Sequence, residues 1–297
     1  MNENEFILFD RREKIRAIND RYDLVNNAHL SLSGGKDSTI LHYLLDIALP
    51  GNRIPRVFIN TGIEYKMIVE YVKEMAKNDD RIIIIQPTQN IKEVLTKYGY
   101  PFKSKQHSSN LEVFQNQHKM TATNIHYLGI VESKTKFRCP KMLEFQFSND
   151  YQIKISDRCC EQLKKKPFNT WEKENHKPII LTGMRADEGG KRNNIGCIVT
   201  DKENNLKKFH PLLVVSEDWE NWFIENQQIK LCDLYYQPYG FKRTGCKGCP
   251  FSLNLQHDLD IMEKLLPNEK AQCENIWQPV YAEYRRLGYR LRKDGME

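Results

Sequence analysis

Long hydrophobic runs are missing from this chain of 297 residues: its apolar stretches end after four or five residues, as at Ile82–Ile85. A membrane span needs ~20, so none is expected. Low-complexity tracts and internal repeats are also missing, and glycine (15) and proline (12) are too few for a collagen-like or Pro/Gly-rich disordered chain. Charge is not lopsided: 45 Lys and Arg stand against 39 Asp and Glu, giving a net charge of +6 and a pI of about 8.7. That mild excess suits an anionic partner, a nucleotide or a nucleic acid, without identifying it. The first residues, Met1-Asn2-Glu3-Asn4-Glu5, are acidic and lead into no long apolar segment, so no secretory leader is expected. A soluble, cytoplasmic protein without membrane contact is the expectation. What is present is a 40% hydrophobic and 10% aromatic composition, enough for a substantial core. The eight cysteines, in a reducing compartment, point to metal or redox chemistry more than to a disulfide framework.

Periodicity orders the first half of the chain. Residues 10–25 place Ile15, Ile18, Tyr22 and Val25 on a helical stripe. The alternating segment 28–33 reads as a strand, and 36–48 as a helix with Ile40, Leu41, Leu44 and Leu45 on one side, stopped by Pro50-Gly51. A strand over 56–60 and a helix over 64–77 follow. The four isoleucines within 81–86 suggest a strand buried on both faces of a parallel sheet. A short helix is expected over 91–98. Strand and helix alternating in this way predict an α/β fold with a doubly wound parallel sheet. Residues 99–175 are polar and weakly patterned, and read as a helical insertion. The strand signal returns at 178–183 and, as a strand or extended segment, at 208–213; a helix is expected over 218–227. The tail 255–292 reads as two helices around Pro267, a Cys-bearing C-terminal extension. The expected boundaries are an N-terminal helix over 1–27, one domain over 28–252 and the helical extension over 253–297.

The first chemical signal is Ser33-Gly34-Gly35-Lys36-Asp37-Ser38, set between a strand and a helix. Two glycines let the backbone turn sharply and bring N–H groups close to an anion, and the helix adds its own free N–H groups and positive end. Lys36 supplies a cation, Ser33 and Ser38 hydroxyl donors. Leu30 stands where a Walker A loop needs its first glycine, and Asp37 follows the lysine, so this is a different phosphate loop. The second signal is Cys159-Cys160 together with Cys246-Lys247-Gly248-Cys249. Four thiolates suit tetrahedral zinc or an iron–sulfur cluster, and adjacent cysteines are unusual for zinc.

The loop resembles the pyrophosphate-binding (PP) loop of the adenine nucleotide alpha-hydrolase superfamily. The remaining motifs resemble the phosphoadenosine phosphosulfate (PAPS) and adenylyl-sulfate (APS) reductases. Arg158 to Lys164 is similar to their Cys-Cys segment with its following lysine. Thr182-Gly183-Met184-Arg185 and Arg192 are similar to their substrate-binding arginine segment, and His210-Pro211-Leu212 to their Asn-Pro-Leu. Tyr239-Gly240-Phe241 with Gly245-Cys246 and Cys249 resembles their closing Cys-x-x-Cys element. The resemblance implies an adenine nucleotide alpha-hydrolase-like fold, with the nucleotide on Ser33, Gly34, Gly35, Lys36, Asp37, Ser38, Asn60, Thr61, Gly62, Gly183 and Arg185. It implies Lys36, Lys164, Arg185 and Arg192 as the catalytic residues at the anionic end, and Cys159, Cys160, Cys246 and Cys249 as ligands of a [4Fe–4S] cluster.

Two departures shape the functional expectation. The reductases carry a nucleophilic cysteine in a C-terminal Glu-Cys-Gly-x-His setting, and this chain ends Lys293-Asp294-Gly295-Met296-Glu297. Their Asp-Thr-Gly is Asn60-Thr61-Gly62 here, with the carboxylate lost. The first expectation is therefore an ATP pyrophosphatase that transfers sulfur, with ATP and Mg2+ as ligands, a sulfur donor protein as partner, and tRNA or DNA among the acceptors. The alternative is an APS or PAPS oxidoreductase served by a thioredoxin-like reductant, with the replacement thiol supplied by Cys139, Cys273 or a partner. A third reading is a non-catalytic sensor that binds nucleotide and cluster. A homodimer is compatible with each.

Overall fold

The computed structural model describes residues 2–131, 137–187, 195–293 and 295. Its elements form two compact units, one made of residues 1–60, 64–86 and 167–244 and the other of 61–63, 87–166 and 245–297.

The first unit is the α/β sheet. Helix α1 (Glu3–Tyr22) begins earlier than its apolar stripe, because Asn2 and Glu5 form a capping box that satisfies the first free N–H groups. It stops at Asp23, which turns left-handed and caps the short α2 (Leu24–Asn27). Strand β1 (Ala28–Leu32), helix α3 (Lys36–Ala48), β2 (Arg56–Ile59), α4 (Lys66–Asn78) and β3 (Ile82–Ile85) follow in the expected alternation. After the residues of the second unit come β4 (Ile179–Leu181), β5 (Ile198–Thr200) and β6 (Leu206–Phe209), then the helix Glu217–Asn226. The strand order is β3-β2-β1-β4-β6-β5, with every neighbouring pair parallel except β5 against β6.

That order places β1 between β2 and β4. The chain runs outward from β1 through β2 to β3 and then returns to the other side of β1. The C-terminal ends of β1 and β4 thus flank a topological switch point, the place where open α/β sheets bind ligands. The doubly wound sheet is as expected; three details differ. The four isoleucines form an edge strand, and only Ile82 is buried, because β3 has a neighbour on one side alone. The strand near 208 ends at Phe209, and His210 to Leu213 make a turn. Strand β5 carried no sequence signal, being three residues long and partly exposed at the antiparallel edge.

The second unit is largely helical. It contains α5 (Ile91–Tyr98), capped by an Asn90/Glu93 box, α6 (Lys105–Gln117) and α7 (Ala122–Leu128). A helix over 158–174 then opens as α8 (Arg158–Cys160) and continues through a π-helical turn, Glu161–Lys165, into α9 (Lys166–Glu174), whose residues from Pro167 on belong to the first unit. The helix Glu217–Asn226 of the first unit is α10, and the second unit's two C-terminal helices are α11 (Leu255–Leu265) and α12 (Pro267–Leu287), the latter with proline in its first turn. No helix among the described residues is long and apolar enough to cross a membrane.

Candidate functional site

In the first unit, the loop between β1 and α3 is drawn tight by its own hydroxyls. The Ser33 N–H donates to Ser38 Oγ (3.1 Å), Gly35 N–H to Ser33 Oγ (3.2 Å), and the two hydroxyls lie 2.9 Å apart. Ser38 Oγ also reaches the Gly35 carbonyl at 3.0 Å. Lys36 N–H donates to Tyr235 Oη (3.0 Å), which is 2.6 Å from Thr244 Oγ1. Three loop amides therefore end on hydroxyl oxygens at the start of a 13-residue helix. Gly34 has φ +71°, and a Cβ there would stand 2.8 Å from Val72 Cγ2 and 2.9 Å from Ile68 Cγ2 of α4, so the turn requires glycine twice over.

Gly183, just past β4, makes the closest approach to the loop. A Cβ on it would lie 2.5 Å from the Asp37 carbonyl oxygen and 3.0 Å from the Ser38 nitrogen. Two residues later Arg185, almost fully buried, points its guanidinium at three carboxylates: Nη1 to Asp187 (2.8 Å), Nε to Glu220 Oε1 (3.3 Å) and Nε to Asp37 (3.9 Å). Lys36 Nζ meets the same Glu220 through Oε2 at 3.3 Å, and Glu217 at 3.3 Å. Glu220 is wholly buried on α10, with neither oxygen in a hydrogen bond. Burial, with Asp37 adding to it, pushes its carboxyl up to about 7, against the opposing pull of Arg185 and Lys36. Thr182 Oγ1 lies 2.6 Å from His210 Nδ1, and burial lowers the His210 pKa, so a neutral ring braces the β4 end.

The structure thus brings Ser33, Gly34, Gly35, Lys36, Asp37, Ser38, Gly183 and Arg185 together. Asn60 follows β2, its N–H donating to the Ile85 carbonyl, while Thr61 and Gly62 open the second unit's first segment. Arg192 lies outside the described residues. Glu217, Glu220, Tyr235 and Thr244 were not foreseen; the available signal was Glu220 between Trp219 and Phe223, a carboxylate on the buried face of α10. A cleft of about 640 Å³ elsewhere in the first unit, lined by Tyr43, Met67, Tyr71 and Leu231, includes none of the loop residues.

In the second unit, Cys159 and Cys160 sit where the helix over 158–174 widens into its π turn, a distortion frequent at functional sites. The two pairs of thiols lie near enough to influence each other electrostatically: Cys160, Cys249 and Cys246 each raise Cys159, and Cys246 and Cys160 raise Cys249. Hydrogen bonding within the adjacent pair draws Cys160 below the usual thiol range and holds Cys159 above it; Lys105 and Lys164 also favour the Cys160 thiolate. Burial pushes Cys249 up to about 12. A pocket of about 300 Å³ opens beside Cys160, lined also by Lys105, Ser109 and Arg158. Among the described residues no three His, Cys, Asp or Glu side chains stand in a metal-binding arrangement. By donor type alone, the four thiols suit a thiolate-ligated group.

The Cys246–Cys249 turn is held from α12. Trp277 Nε1 donates to the Lys247 carbonyl (3.2 Å), Tyr281 Oη to that of Gly248, and Tyr284 Oη to that of Pro250 (2.9 Å). Gly248 has φ +59°, and a Cβ there would meet Tyr281 Oη at 2.4 Å and Cys273 Sγ at 2.7 Å. Cys273 is therefore a packing residue under the turn, fully buried, its thiol pushed up to about 12 by burial. Cys139 is buried too, and burial raises it to about 11.

A mostly parallel six-stranded sheet in this order is consistent with the adenine nucleotide alpha-hydrolase-like fold. The phosphoadenosine phosphosulfate reductase domain matches residues 27–130 and 117–252, and the chain belongs to that family. It is 32% identical over 262 residues to the uncharacterized protein MJ0973 of Methanocaldococcus jannaschii, covering 83% of this chain and 49% of that one, so it spans about half the length of this curated relative. Among solved structures it is similar to Candida glabrata FMN adenylyltransferase in complex with ATP, at 15% identity over 82% of this chain and 61% of that one, with a TM-score of 0.50. It is also similar to the PAPS reductase of Candida auris in a phosphate complex, at 14% identity over 80% and 87% of the two chains, with a TM-score of 0.46.

Proposed function

We propose that the chain binds ATP with its phosphates along Ser33–Ser38 and cleaves it between the α- and β-phosphates as the activating step of sulfur transfer. The observation that carries this reading is the loop at the switch point, whose amides open a helix while Lys36 and Arg185 converge beside it. Attack by an acceptor oxygen on the α-phosphorus breaks its bond to the β-phosphate, releases pyrophosphate and leaves the acceptor adenylated; hydrosulfide from the donor then attacks the adenylated centre and displaces AMP, the S–H proton passing to solvent. Lys36, with Arg185 and Arg192, neutralises charge building on the leaving pyrophosphate. Asn60, Thr61 and Gly62 belong to the nucleotide's surroundings, and Mg2+ accompanies ATP. Cys159, Cys160, Cys246 and Cys249 hold a [4Fe–4S] cluster beside Lys164, and that cluster, when bound, supplies iron able to carry sulfide. A sulfur donor protein is the partner, and tRNA or DNA the class of acceptor that the mild basic excess suits.

Sulfonucleotide reduction is the second reading, favoured by the family match. It needs an accessible thiolate to attack sulfur. Cys139 and Cys273 are both buried, and burial keeps both protonated near neutral pH. The deciding assay supplies anaerobically prepared protein with ATP, a sulfur donor and tRNA or DNA as acceptor, or with thioredoxin and APS or PAPS. Pyrophosphate from ATP on the order of 1 per second is expected, with no sulfite. Sulfite at that rate without pyrophosphate would reverse the order of the two readings.

Lys36→Ala should weaken ATP binding roughly 10- to 100-fold, the worth of a charge-assisted contact. Calorimetric titration measures it, and an ATP affinity equal to the parent's would remove the loop from the nucleotide site.

A further inference from the structure

A glutamate buried without a hydrogen bond is costly, and Glu220 is wholly buried with both oxygens in that state. An amide of the same shape would be cheaper there, since Lys36 would keep Glu217 and Arg185 would keep Asp187 as partners. What only the carboxylate provides is a bridge. Its Oε2 lies 3.3 Å from Lys36 Nζ and its Oε1 3.3 Å from Arg185 Nε. Two cations arriving from different elements, one on α3 and one past β4, are held against their mutual repulsion by one rigid group.

The geometry points to Glu220 as a specificity-determining positioning residue that fixes Lys36 and Arg185 as a two-pronged clamp for adjacent phosphoryl groups. The inference rests on the reading of the loop as a phosphate site and adds to it a preference for a diphosphate or triphosphate chain over a single phosphate. One phosphate can satisfy either cation alone, so it gains little from their spacing; a polyphosphate engages both only if they stay paired. Without the bridge, Lys36 turns to Glu217 and Arg185 to Asp187, and the second contact is lost.

Protonation of Glu220 should imitate that loss. The charged groups facing it are Lys36 and Asp37 from α3 and Arg185 from the β4 end, with Glu217 of its own helix acting through Lys36. Burial raises its carboxyl to about 7, so the bridge is charged at pH 8 and mostly neutral at pH 6.

The test compares the full chain with Glu220→Gln and Glu220→Asp, titrated with inorganic pyrophosphate against orthophosphate and with ATP against AMP, at pH 6 and pH 8. At pH 8 the parent should prefer the longer phosphate in both pairs, and Glu220→Gln should lower that preference about tenfold, the worth of one lost charged contact. Glu220→Asp should recover part of it. The parent's preference should fall toward that of Glu220→Gln at pH 6; titration of the ligands themselves is common to all three chains and cancels in the comparison. An unchanged preference in Glu220→Gln at pH 8 overturns the inference even if ATP binds well. A pyrophosphate preference that disappears in Glu220→Gln, in a chain that does not bind ATP, supports the clamp and refutes the adenine-nucleotide reading. Absence of binding by any of the four ligands refutes both.

Discussion

Gly183→Ala is expected to lose ATP binding by on the order of 100-fold and to unfold more easily by about 3 kcal/mol, although it adds a single methyl group. The atoms in its way are the Asp37 carbonyl oxygen and carbon, at 2.5 and 2.6 Å, and the Ser38 nitrogen at 3.0 Å. They belong to the backbone of the loop, so no side-chain rotation relieves the overlap. The β4 end cannot retreat cheaply either. It is paired with β1 through Ile180 and Leu181, and the Thr182 N–H donates to the Phe209 carbonyl at 3.1 Å. The methyl group must therefore lift the first turn of α3, the part proposed above to face the phosphates. Gly35 is the control position. A Cβ there would meet only side-chain oxygens, Tyr235 Oη at 3.1 Å, Ser33 Oγ at 3.2 Å and Thr244 Oγ1 at 3.4 Å, which can give way. Gly35→Ala should thus cost far less stability than Gly183→Ala. Urea unfolding and ATP titration of the two variants read both quantities, and parent-like ATP affinity in Gly183→Ala would show that the loop does not hold the nucleotide.

The alternation of strand and helix was legible because each element's burial is set locally. Helix α3 keeps Ile40, Leu41, Leu44 and Leu45 inward over its whole length, and its bounds match the periodicity. Where burial depends on sheet position, periodicity is blind. The sequence 82–85 is the same whether its strand lies at the centre or at the edge, and only the pairing with β2 on one side shows that three of the four isoleucines are half-covered. Strand β5 is shorter than one full alternation and takes its pairing from β6 alone, so its residues carry no period to read.

The candidate site divides in the same way. Ser33–Ser38 is contiguous and stands between two well-patterned elements, so its chemistry can be read from spacing. Glu220, Tyr235 and Thr244 reach the loop from segments roughly 180 to 210 positions away, and nothing in their local pattern marks the destination. Glu220 was the most accessible of them, a charge between Trp219 and Phe223 on a face that is otherwise buried. The role of α12 was equally hidden. Trp277, Tyr281 and Tyr284 donate to the carbonyls of Lys247, Gly248 and Pro250 and so shape the Cys246–Cys249 turn, a destination that helical periodicity does not mark.

That dependence sets the second large effect. Anaerobically prepared protein should carry about four iron and four sulfide per chain, and Cys160→Ser or Cys246→Ser should abolish the brown absorbance near ~400 nm, because a hydroxyl replaces thiolate poorly as an iron ligand. Gly248→Ala should remove the cluster as completely without touching a thiol. Its Cβ would lie 2.4 Å from Tyr281 Oη and 2.7 Å from Cys273 Sγ, and its φ of +59° is one that side chains rarely adopt. The turn would have to leave α12, separating Cys246 and Cys249 from the pair at 159 and 160. Cys273→Ala tests the same packing from the other side: it opens space below Gly248, should leave iron content near four because Cys273 is no ligand, and should relieve part of the Gly248→Ala defect when the two are combined. Metal analysis and absorbance on the four single variants and the double variant separate ligand from support. Loss of iron in Cys273→Ala equal to that in Cys246→Ser would make Cys273 a ligand, and stoichiometric zinc without iron in the parent chain would replace the cluster with a tetrahedral zinc site.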